Sequence, residues 1–301
     1  MKREIMDHKK RSLLTRRQAI RSLAAITAGT LIKPSSVFGV ESVKSVTRFA
    51  VIGDWGTGGD DQFGLGKQMY ETHSRAAFDF ILTAGDNLYP NGSGRYLEKR
   101  FEEPFAALLR DRVPFYASLG NHDVEEGRYH QREYPLFNMG GRDYYTVRKG
   151  NGLAEFFMLD TTNFDSTQAT WLENSLRVSN AKWKIAVFHH PLYSSGKKHG
   201  SDLKLRKQLE PLFVRYNLDM VFSGHDHFYE RTTPQQGIQY FVTGAGGKTS
   251  RGSVDLKSEF RKVSYDRDNH FMLIEIDDDE LSFKAIGETG EVVDEGLMKQ
   301  A

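Results

Sequence analysis

The chain of 301 residues contains no cysteine. It therefore cannot form a disulfide framework, and it cannot bind zinc through thiolates. Any metal that it binds must use oxygen and nitrogen ligands, which carboxylate, amide, phenol and imidazole side chains provide. The sequence contains 40 acidic residues, 13 tyrosines and 10 histidines, so such ligands are available.

The N-terminal part of the chain also lacks a long run of apolar residues. The apolar stretch at residues 23–32 is too short to span a membrane. It follows Arg16 and Arg17 and shows the basic, apolar, then small-residue order of an export signal, and the paired arginines resemble a twin-arginine signal. We therefore expect residues 1–39 to direct export to the periplasm or medium through the twin-arginine machinery, with cleavage near Gly39 leaving no stable membrane span; a retained anchor is the alternative.

The formal net charge is small, at +1 for the whole chain. Residues 1–39 contain nine basic and two acidic residues, so residues 40–301 keep 32 basic and 38 acidic residues and a balance of −6. This balance does not suggest a basic surface for nucleic acid. We expect a small-molecule substrate, no nucleic-acid partner and a monomer.

The remaining length of residues 40–301 suits one large domain. No internal repeat or low-complexity linker divides it. Strand-like runs alternate with helix-like segments, followed by hairpins, which predicts an α/β (α+β) fold of mixed sheets covered by helices. The predicted helices are residues 65–75, 94–110 interrupted by Pro104, 166–178, and 202–216 interrupted by Pro211. The predicted hairpins are residues 142–160 and 270–286.

Side chains of the kind that bind metals follow several of the apolar runs. The segments VIGDWG, GDNLYP, GNHD, FHHP and GHDH are each entered from a short apolar run; these runs are RFAVI, FDFIL, VPFYAS, WKIAVF and DMVFS. Open α/β sheets form their sites beyond the carboxyl ends of strands, so these segments are expected to meet there. The candidate metal ligands are Asp54, Asp86, Tyr89, Asn121, His189, His225 and His227.

These residue types suit a pair of metal ions. Two ions held close together need a shared ligand, and the two oxygens of Asp86 could bridge them. Carboxylate and phenolate oxygens suit a hard trivalent ion, whereas imidazole and an amide oxygen suit a borderline divalent ion. The candidate site is therefore asymmetric.

Together the patterns GDWG, GDNxY, GNHD, HxP and GHDH resemble the signature of the purple acid phosphatases, within the calcineurin-like metallophosphoesterases. The resemblance covers about residues 48–248 and is to the small, mammalian-like type. It implies a four-layer sandwich, in which two mixed β-sheets are flanked by helices, and it makes residues 40–301 one catalytic domain. By the matching positions, Fe(III) would take Asp54, Tyr89 and His227. A divalent Fe, Zn or Mn ion would take Asn121, His189 and His225, with Asp86 bridging.

The resemblance also implies roles for two further histidines. His122 and His199 match positions at which the small enzymes keep histidines facing the substrate, so both are candidate catalytic residues. Asn121 and His122 are the candidate substrate-binding residues. His122 could instead orient a ligand, and His199 could be a solvated loop histidine.

Several residues next to the candidate ligands have expected roles of their own. Asp123 and Asp226 are expected to orient ligand imidazoles through hydrogen bonds, and His190 is expected to be a neighbour and not a ligand. Lys197 and Lys198 could attract phosphate or form only a solvated loop. The glycine-rich residues 244–247 lack the lysine-serine ending of a P-loop, so we expect them to let the backbone pass close to the site.

The function implied is that of an exported dinuclear-metal acid phosphatase, which hydrolyses phosphate monoesters by attack of a metal-bound hydroxide. A phosphodiesterase or nucleotidase with the same metal core is the alternative within this class. A catalytically silent binding protein that retains the fold is the remote alternative, because such a protein is expected to have lost ligands.

The export route is testable in the precursor. Replacing Arg16 and Arg17 together by lysine keeps the charge and removes the paired arginines. We expect the variant to accumulate as unprocessed precursor in the cytoplasm, measured by fractionation and immunoblotting. Replacing Lys9 and Lys10 by arginine provides the control, because these residues lie outside the pair. Export of the double-lysine variant at the normal rate would rule out this route.

Overall fold

The structure, a computed structural model, describes residues 46–300. The expected export signal at residues 1–39 lies outside this range, so the signal and the domain boundary after it stay predictions. Within residues 46–300, no helix is both long enough and apolar enough to cross a membrane.

Two mixed β-sheets form the centre of the described chain. The strand order is β13-β12-β11-β1-β2-β3 in the first sheet and β10-β8-β9-β7-β6-β5-β4 in the second. The strands are β1 (Thr47–Ile52), β2 (Phe80–Ala84), β3 (Phe115–Ser118), β4 (Tyr145–Lys149), β5 (Ala154–Met158), β6 (Trp183–Val187), β7 (Met220–Ser223), β8 (Tyr229–Thr232), β9 (Gln239–Thr243), β10 (Arg261–Tyr265), β11 (His270–Ile276), β12 (Glu280–Gly287) and β13 (Val292–Lys299). All the apolar runs that precede the candidate ligands are strands, and both predicted hairpins form, as β4–β5 and β11–β12.

Helices connect the parallel strands and cover the sheets. The α-helices are α1 (Asp60–Arg75), α2 (Ala106–Arg110), α3 (Asp123–Glu126), α4 (Arg128–Glu133), α5 (Ser166–Val178) and α6 (Leu203–Arg215). Short 3₁₀ turns occur at Gly94–Tyr96, Pro135–Phe137 and Gly150–Gly152, and a π-helical turn occurs at Glu98–Glu102.

The two sheets pack face to face through aromatic side chains. Phe49 on β1 stacks on Phe80 on β2, with ring centroids 5.2 Å apart, and Phe156 on β5 meets both rings edge-on at 5.0 and 5.4 Å. On the outer face of the second sheet, Leu172 of α5 and Leu209 of α6 are fully buried in a second apolar cluster. On the outside of the first sheet, α1 buries Leu65 and Met69. The predicted four-layer arrangement of helix, sheet, sheet and helix is confirmed.

Three helix predictions differ from the structure in detail. Helix α1 begins at Asp60 and not at residue 65, because Asp60 and Asp61 provide the acidic first turn that the helix dipole favours. Residues 94–110 form separate turns before α2 starts beyond Pro104. By contrast, Pro211 does not interrupt α6, because it lies on the exposed face, where water can bind the carbonyl left without a partner.

The sheet topology positions the candidate site. Strands β1, β2 and β3 are parallel in the first sheet, and β5, β6, β7 and β9 are parallel in the second. Parallel strands place their carboxyl ends at one edge of the sheet. The two edges meet: the His225 backbone N–H, after β7, donates to Asp54 Oδ2, after β1, at 2.8 Å. Both sheets therefore contribute side chains to one site.

Candidate metal centre

Three site residues have left-handed backbone conformations. The φ angles of Asp54, Asp86 and His225 are 55°, 50° and 71°. Such conformations are uncommon for residues with a side chain, and each costs about 1–3 kcal/mol unless the surroundings compensate. The Asp54 N–H donates to the Gly85 carbonyl at 3.0 Å, so the turns after β1 and β2 hold each other. The left-handed conformations turn the backbone sharply at Asp54 and Asp86, just after β1 and β2 end.

Four of the predicted residues converge around the phenol oxygen of Tyr89. The Tyr89 hydroxyl donates to Asp86 Oδ2 at 3.0 Å and lies 3.2 Å from Asp54 Oδ1. It also lies 3.2 Å from His227 Nε2, which is 3.4 Å from Asp54 Oδ1. We call Asp54, Tyr89 and His227 the tyrosine group.

The other three predicted residues converge around His189. Its Nε2 lies 3.1 Å from Asn121 Oδ1 and 3.2 Å from His225 Nδ1. Its Nδ1 lies 2.9 Å from the Ala84 carbonyl oxygen, which can only accept a hydrogen bond. The neutral ring therefore has its proton on Nδ1 and a lone pair on Nε2. We call Asn121, His189 and His225 the histidine group.

Asp86 joins the two groups. Its Oδ2 contacts Tyr89 and also lies 3.5 Å from His189 Nε2. The lone pair of His189 therefore faces oxygen atoms of Asp86 and Asn121, which also accept hydrogen bonds. Carboxylate, amide and imidazole ligand atoms that converge in this way suit a cation, and Asp54, Asp86 and His189 present ligand atoms within 4.8 Å of one another. The ligand atoms of the seven candidate residues therefore fit metal binding, and they are the oxygen and imidazole ligands expected from the sequence.

Burial controls the protonation of the tyrosine group. Burial, then the negative charge of Asp86, raises the pKa of Asp54 well above its usual value. Burial, then the charges of Asp54 and Asp86, raises the pKa of Tyr89 well above its usual value. Burial, then the Lys248 ammonium, lowers the pKa of His227 to about 4. Without metal, burial thus favours the uncharged forms of Asp54, Tyr89 and His227. A bound cation would instead favour the ionised carboxylates and the phenolate.

Asp123 binds backbone groups of the turns after β2 and β3 and does not orient a ligand imidazole. The prediction that it would hydrogen-bond to an imidazole was wrong. Its buried carboxylate accepts from the backbone N–H groups of Asn87, Leu88 and Gly120 at 2.8–3.0 Å, and from the Gln131 side chain at 2.8 Å. These bonds fix the turn after β2 to the turn after β3. Burial raises the pKa of Asp123 to about 7.

Asp226 likewise holds a loop. Its Oδ2 accepts from the Ser194 hydroxyl at 2.5 Å and from the Gly200 N–H at 3.1 Å. Next to it, the buried Glu230 accepts from both the N–H and the hydroxyl of Ser195, at 2.8 and 2.7 Å. The partners of Asp226 are therefore in the segment that carries His199, and the expectation of a bond to a ligand imidazole was wrong here too.

The remaining predicted histidines surround the two groups. The His122 ring lies 4.8 Å from the Tyr89 ring, and its Nδ1 donates to the Pro90 carbonyl at 2.6 Å. The exposed His199 ring packs 4.2 Å from His225. His190 packs 4.6 Å from His225, and its Nδ1 pairs with the Thr161 hydroxyl at 2.9 Å. His190 also belongs to a cluster with His189 and His225 whose ligand atoms are close enough to hold a metal.

Two features of the site were missed by the sequence interpretation. The ammonium of Lys248 lies over the Tyr89 ring, 5.5 Å from its centroid. Thr161, which holds His190, follows β5 but belongs to none of the sequence patterns. The glycine-rich residues 244–247 could have pointed to Lys248, because they do pass close to the site as expected: Gly246 N–H donates to the Gly53 carbonyl at 2.9 Å.

Known proteins share this fold and these patterns. A family model described as calcineurin-like phosphoesterase matches residues 47–229. Purple acid phosphatase 4 of Arabidopsis thaliana is 31% identical over 267 residues, which cover 78% of this chain and 78% of that protein. Tartrate-resistant acid phosphatase type 5 of Homo sapiens is 29% identical over 236 residues, which cover 66% of this chain and 72% of that protein.

The solved structure of GAP50, described as the anchor in the inner membrane complex of Plasmodium, superposes with a TM-score of 0.75. It is 22% identical, and the match covers 86% of this chain and 90% of that chain, which supports the fold alone. The chain belongs to the calcineurin-like phosphoesterase family and, within it, to the purple acid phosphatases. The predicted family is confirmed, and with it the class of metal-dependent phosphoric monoester hydrolases. The family implies a dinuclear centre of iron and a second metal.

The turn after β3 provides a test of the site geometry. A Cβ added at Gly120 would collide with the carboxylate and the backbone N–H of Asp86. We expect Gly120→Ala to lower stability by about 1–3 kcal/mol, as overpacking does, and to reduce bound metal. Thermal unfolding and metal analysis of the purified protein measure these two effects.

Gly59→Ala is the matched control, because the added Cβ would meet only the Thr57 hydroxyl oxygen at 3.7 Å. We expect this control to keep the metal content of the natural protein. Equal metal content and equal melting temperature for the two variants would contradict the placement of Gly120 against Asp86.

Proposed function

We propose that this chain is an exported acid phosphatase that hydrolyses phosphate monoesters at a dinuclear metal centre. The observation that supports it most is the convergence of all seven candidate ligands into two groups that meet at Asp86. Membership of the purple acid phosphatases supports the same chemistry. Export is supported by the sequence of residues 1–39.

The two groups differ in the metal that they suit. The tyrosine group, with carboxylate and phenolate oxygens, would hold Fe(III), and the histidine group would hold divalent Fe, Zn or Mn. Asp86 would bridge the two ions through its carboxylate. A metal pair of this kind supplies Lewis acidity toward the phosphate oxygens and lowers the pKa of water.

Asn121 and His122 would bind the substrate phosphate. The His122 backbone N–H donates to Asp86 Oδ1 at 3.0 Å, which fixes this residue beside the two groups. Because Nδ1 of His122 donates to the Pro90 carbonyl, Nε2 carries the second proton of the imidazolium form, and this N–H would donate to a phosphate oxygen. His122 would thereby neutralise charge that develops on the phosphate.

His199 would donate a proton to the leaving alkoxide. Its ring is exposed and packs on His225, so it lies at the mouth of the histidine group. Burial lowers the pKa of His199; the Asp226 carboxylate opposes this effect, and the neighbouring Lys198 ammonium adds to it. The ring therefore loses its proton at a lower pH than free imidazole does, so the protonated form is available chiefly in acid. This direction agrees with an acid phosphatase.

Two alternatives remain to be separated by experiment. A phosphodiesterase or nucleotidase would use the same metal core, so substrate comparison is needed. The similarity to GAP50 shows that the fold also occurs in a protein described as an anchor, so fold alone does not establish catalysis. Catalysis is supported here because the donor set is complete within residues 46–300, whereas a silent binding protein has no need to retain it.

One set of kinetic measurements tests both the function and the two histidines. We expect the metal-loaded enzyme to hydrolyse 4-nitrophenyl phosphate faster than bis(4-nitrophenyl) phosphate. We expect His199→Ala to lose about 10²–10⁴-fold in kcat on an alkyl phosphate, and much less on 4-nitrophenyl phosphate, because nitrophenolate departs without a proton. We expect His122→Ala to slow both monoesters similarly, because it acts on the phosphate.

His130→Ala is the control, since His130 lies on α4 and belongs to neither group. Preference for the diester would favour the phosphodiesterase alternative, and failure to hydrolyse either ester would favour the binding protein. An equal loss on alkyl and nitrophenyl phosphates for His199→Ala would remove His199 from the proton-donating role.

The iron assignment is tested by colour. We expect the oxidised protein to contain iron and to absorb broadly in the visible through charge transfer from the Tyr89 phenolate. Tyr89→Phe should lose this band while keeping most of the bound metal, because Asp54, Asp86 and His227 remain. Tyr193→Phe is the control, because the Tyr193 hydroxyl donates to Glu210 and lies outside the tyrosine group. An active natural protein that contains only colourless metals would disprove the ferric assignment.

A further inference from the structure

The three candidate ligand histidines differ in what orients their rings. His189 Nδ1 donates to the Ala84 carbonyl at 2.9 Å, and His227 Nδ1 lies 3.5 Å from the Ser250 hydroxyl oxygen. A hydrogen bond on the nitrogen that does not bind the metal usually fixes a ligand imidazole in this way. Among the hydrogen bonds of residues 46–300, the ring of His225 takes part only in the contact of its Nδ1 with His189. The orientation of His225 must therefore come from packing.

Two imidazole rings pack on His225. The ring centroids of His199 and His190 lie 4.2 and 4.6 Å from that of His225. His199 is exposed, whereas His190 is half-buried and also meets the His189 ring edge-on at 5.0 Å. The Nδ1 atom of His190 pairs with the Thr161 hydroxyl at 2.9 Å. Of the two rings on His225, that of His190 is therefore the one held in place by its surroundings.

The Thr161 hydroxyl also determines which nitrogen of His190 carries the proton. Its oxygen accepts from the His190 backbone N–H at 3.1 Å. Within residues 46–300 the hydroxyl hydrogen has no acceptor other than His190 Nδ1, so it donates there and the neutral ring has its proton on Nε2. This arrangement leaves His190 no nitrogen lone pair for a metal, although the ring is close enough to His189 and His225 to share one.

The turn after β5 holds Thr161 from both sides. The buried Asp160 accepts from Arg128 Nη1 at 2.5 Å and from the Thr162 N–H at 2.9 Å. Arg128 Nη2 donates to the Thr162 hydroxyl at 2.7 Å. The Gln168 side chain binds both the N–H and the carbonyl of Asp160, each at 2.9 Å. Because the residues on either side of it are fixed, the buried Thr161 presents its hydroxyl at a defined point.

We propose that His190, held by Thr161, is a positioning residue for His225 and, through His225, for the divalent metal ion. Its ring provides a fixed surface that keeps His225 Nδ1 directed toward His189 Nε2, where the histidine group would bind that ion. His190 would act without binding the metal itself. Without this surface the His225 ring would sample other rotamers, and ordering it on binding would cost conformational entropy. The inference rests on the proposed dinuclear function and adds a residue to it.

The first test measures zinc affinity by chelator competition on purified protein that retains its metal in the tyrosine group. Thr161→Val keeps the shape of the side chain and removes the hydroxyl, and we expect it to weaken zinc binding about tenfold, as is typical when the partner that orients a ligand is lost. Thr161→Ser keeps the hydroxyl and should retain the natural affinity. The absorption band of Tyr89, which reports on the tyrosine group, should be unchanged in both variants.

Two His190 variants separate positioning from metal binding. His190→Ala removes the surface on which His225 packs, so we expect zinc binding to weaken about 10–100-fold. His190→Phe keeps an aromatic ring beside His225 and removes both ring nitrogens, so we expect a clearly smaller loss. Equal losses in the two variants would make His190 a ligand and overturn the positioning role. Natural zinc affinity in His190→Ala would overturn it as well.

Thr232→Val is the matched control, because Thr232 is also buried, its hydroxyl donates to the Tyr240 carbonyl at 3.4 Å, and it belongs to neither group. We expect it to keep the natural zinc affinity. Equal weakening in Thr232→Val and Thr161→Val, or loss of the Tyr89 band together with zinc, would overturn the inference, because the effect would then be general destabilisation. Melting temperatures of all the variants measure such destabilisation directly.

Failure of the proposed function has a different signature, because it would be observed in the natural protein. A natural protein that binds one metal and no second ion would refute the dinuclear function, and the positioning role with it. Absence of the Tyr89 band from the natural protein would refute the ferric assignment alone. The comparison of zinc affinities among the variants would then still decide the role of His190.

Discussion

The arrangement of the whole site depends on one buried carboxylate, that of Asp86. Its Oδ2 contacts the Tyr89 hydroxyl at 3.0 Å and lies 3.5 Å from His189 Nε2, so it is the atom at which the two donor groups meet. Tyr89 comes from the same turn as Asp86, whereas His189 comes from the other sheet. Any shift of the two sheets relative to each other would therefore separate the groups. The aromatic packing of Phe49, Phe80 and Phe156 between the sheets opposes such a shift, because close-packed interiors deform little.

Asp86 is held in place by turns that have left-handed backbone conformations and that approach one another closely. A Cβ at Gly120 would collide with Asp86, where two turns of the first sheet approach each other, and a Cβ at Gly224 would collide with Asp54, where turns of the two sheets meet. Glycine is therefore required at both positions. Asp123 then ties the turn after β2 to the turn after β3 through several backbone N–H groups. The positive φ of Asp86 is tolerated because these contacts over-determine the loop. The strain is thus compensated by hydrogen bonds outside the donor set.

The sequence allowed the sheets and the donor set to be predicted, because both depend on local patterns. Apolar runs followed by polar turns identify the parallel strands and the residues at their carboxyl ends, including Asp54 and His225. The partners of Asp123 and the position of Lys248 depend on contacts between distant segments, which no spacing encodes. Lys248 is brought over Tyr89 by glycines that let its segment pass close to β1. Similarly, the first turn of α1 is set by charges at Asp60 and Asp61, where apolar periodicity gives no signal.

The electrostatics of the buried groups link metal binding to proton release. Burial raises the pKa of both Asp54 and Tyr89, so without metal these groups tend to keep their protons. Ligands must be deprotonated to bind a metal, so protons and metal compete for the tyrosine group. His189 does not compete in this way, because burial lowers the pKa of its ring and its Nε2 lone pair is already free. As pH falls, the tyrosine group should therefore hold its metal only if that metal is highly charged, since a trivalent ion favours the ionised oxygens most strongly. An enzyme working in acid has a physical reason to pair a phenolate and carboxylates with the harder ion, and to leave the borderline ion to imidazoles.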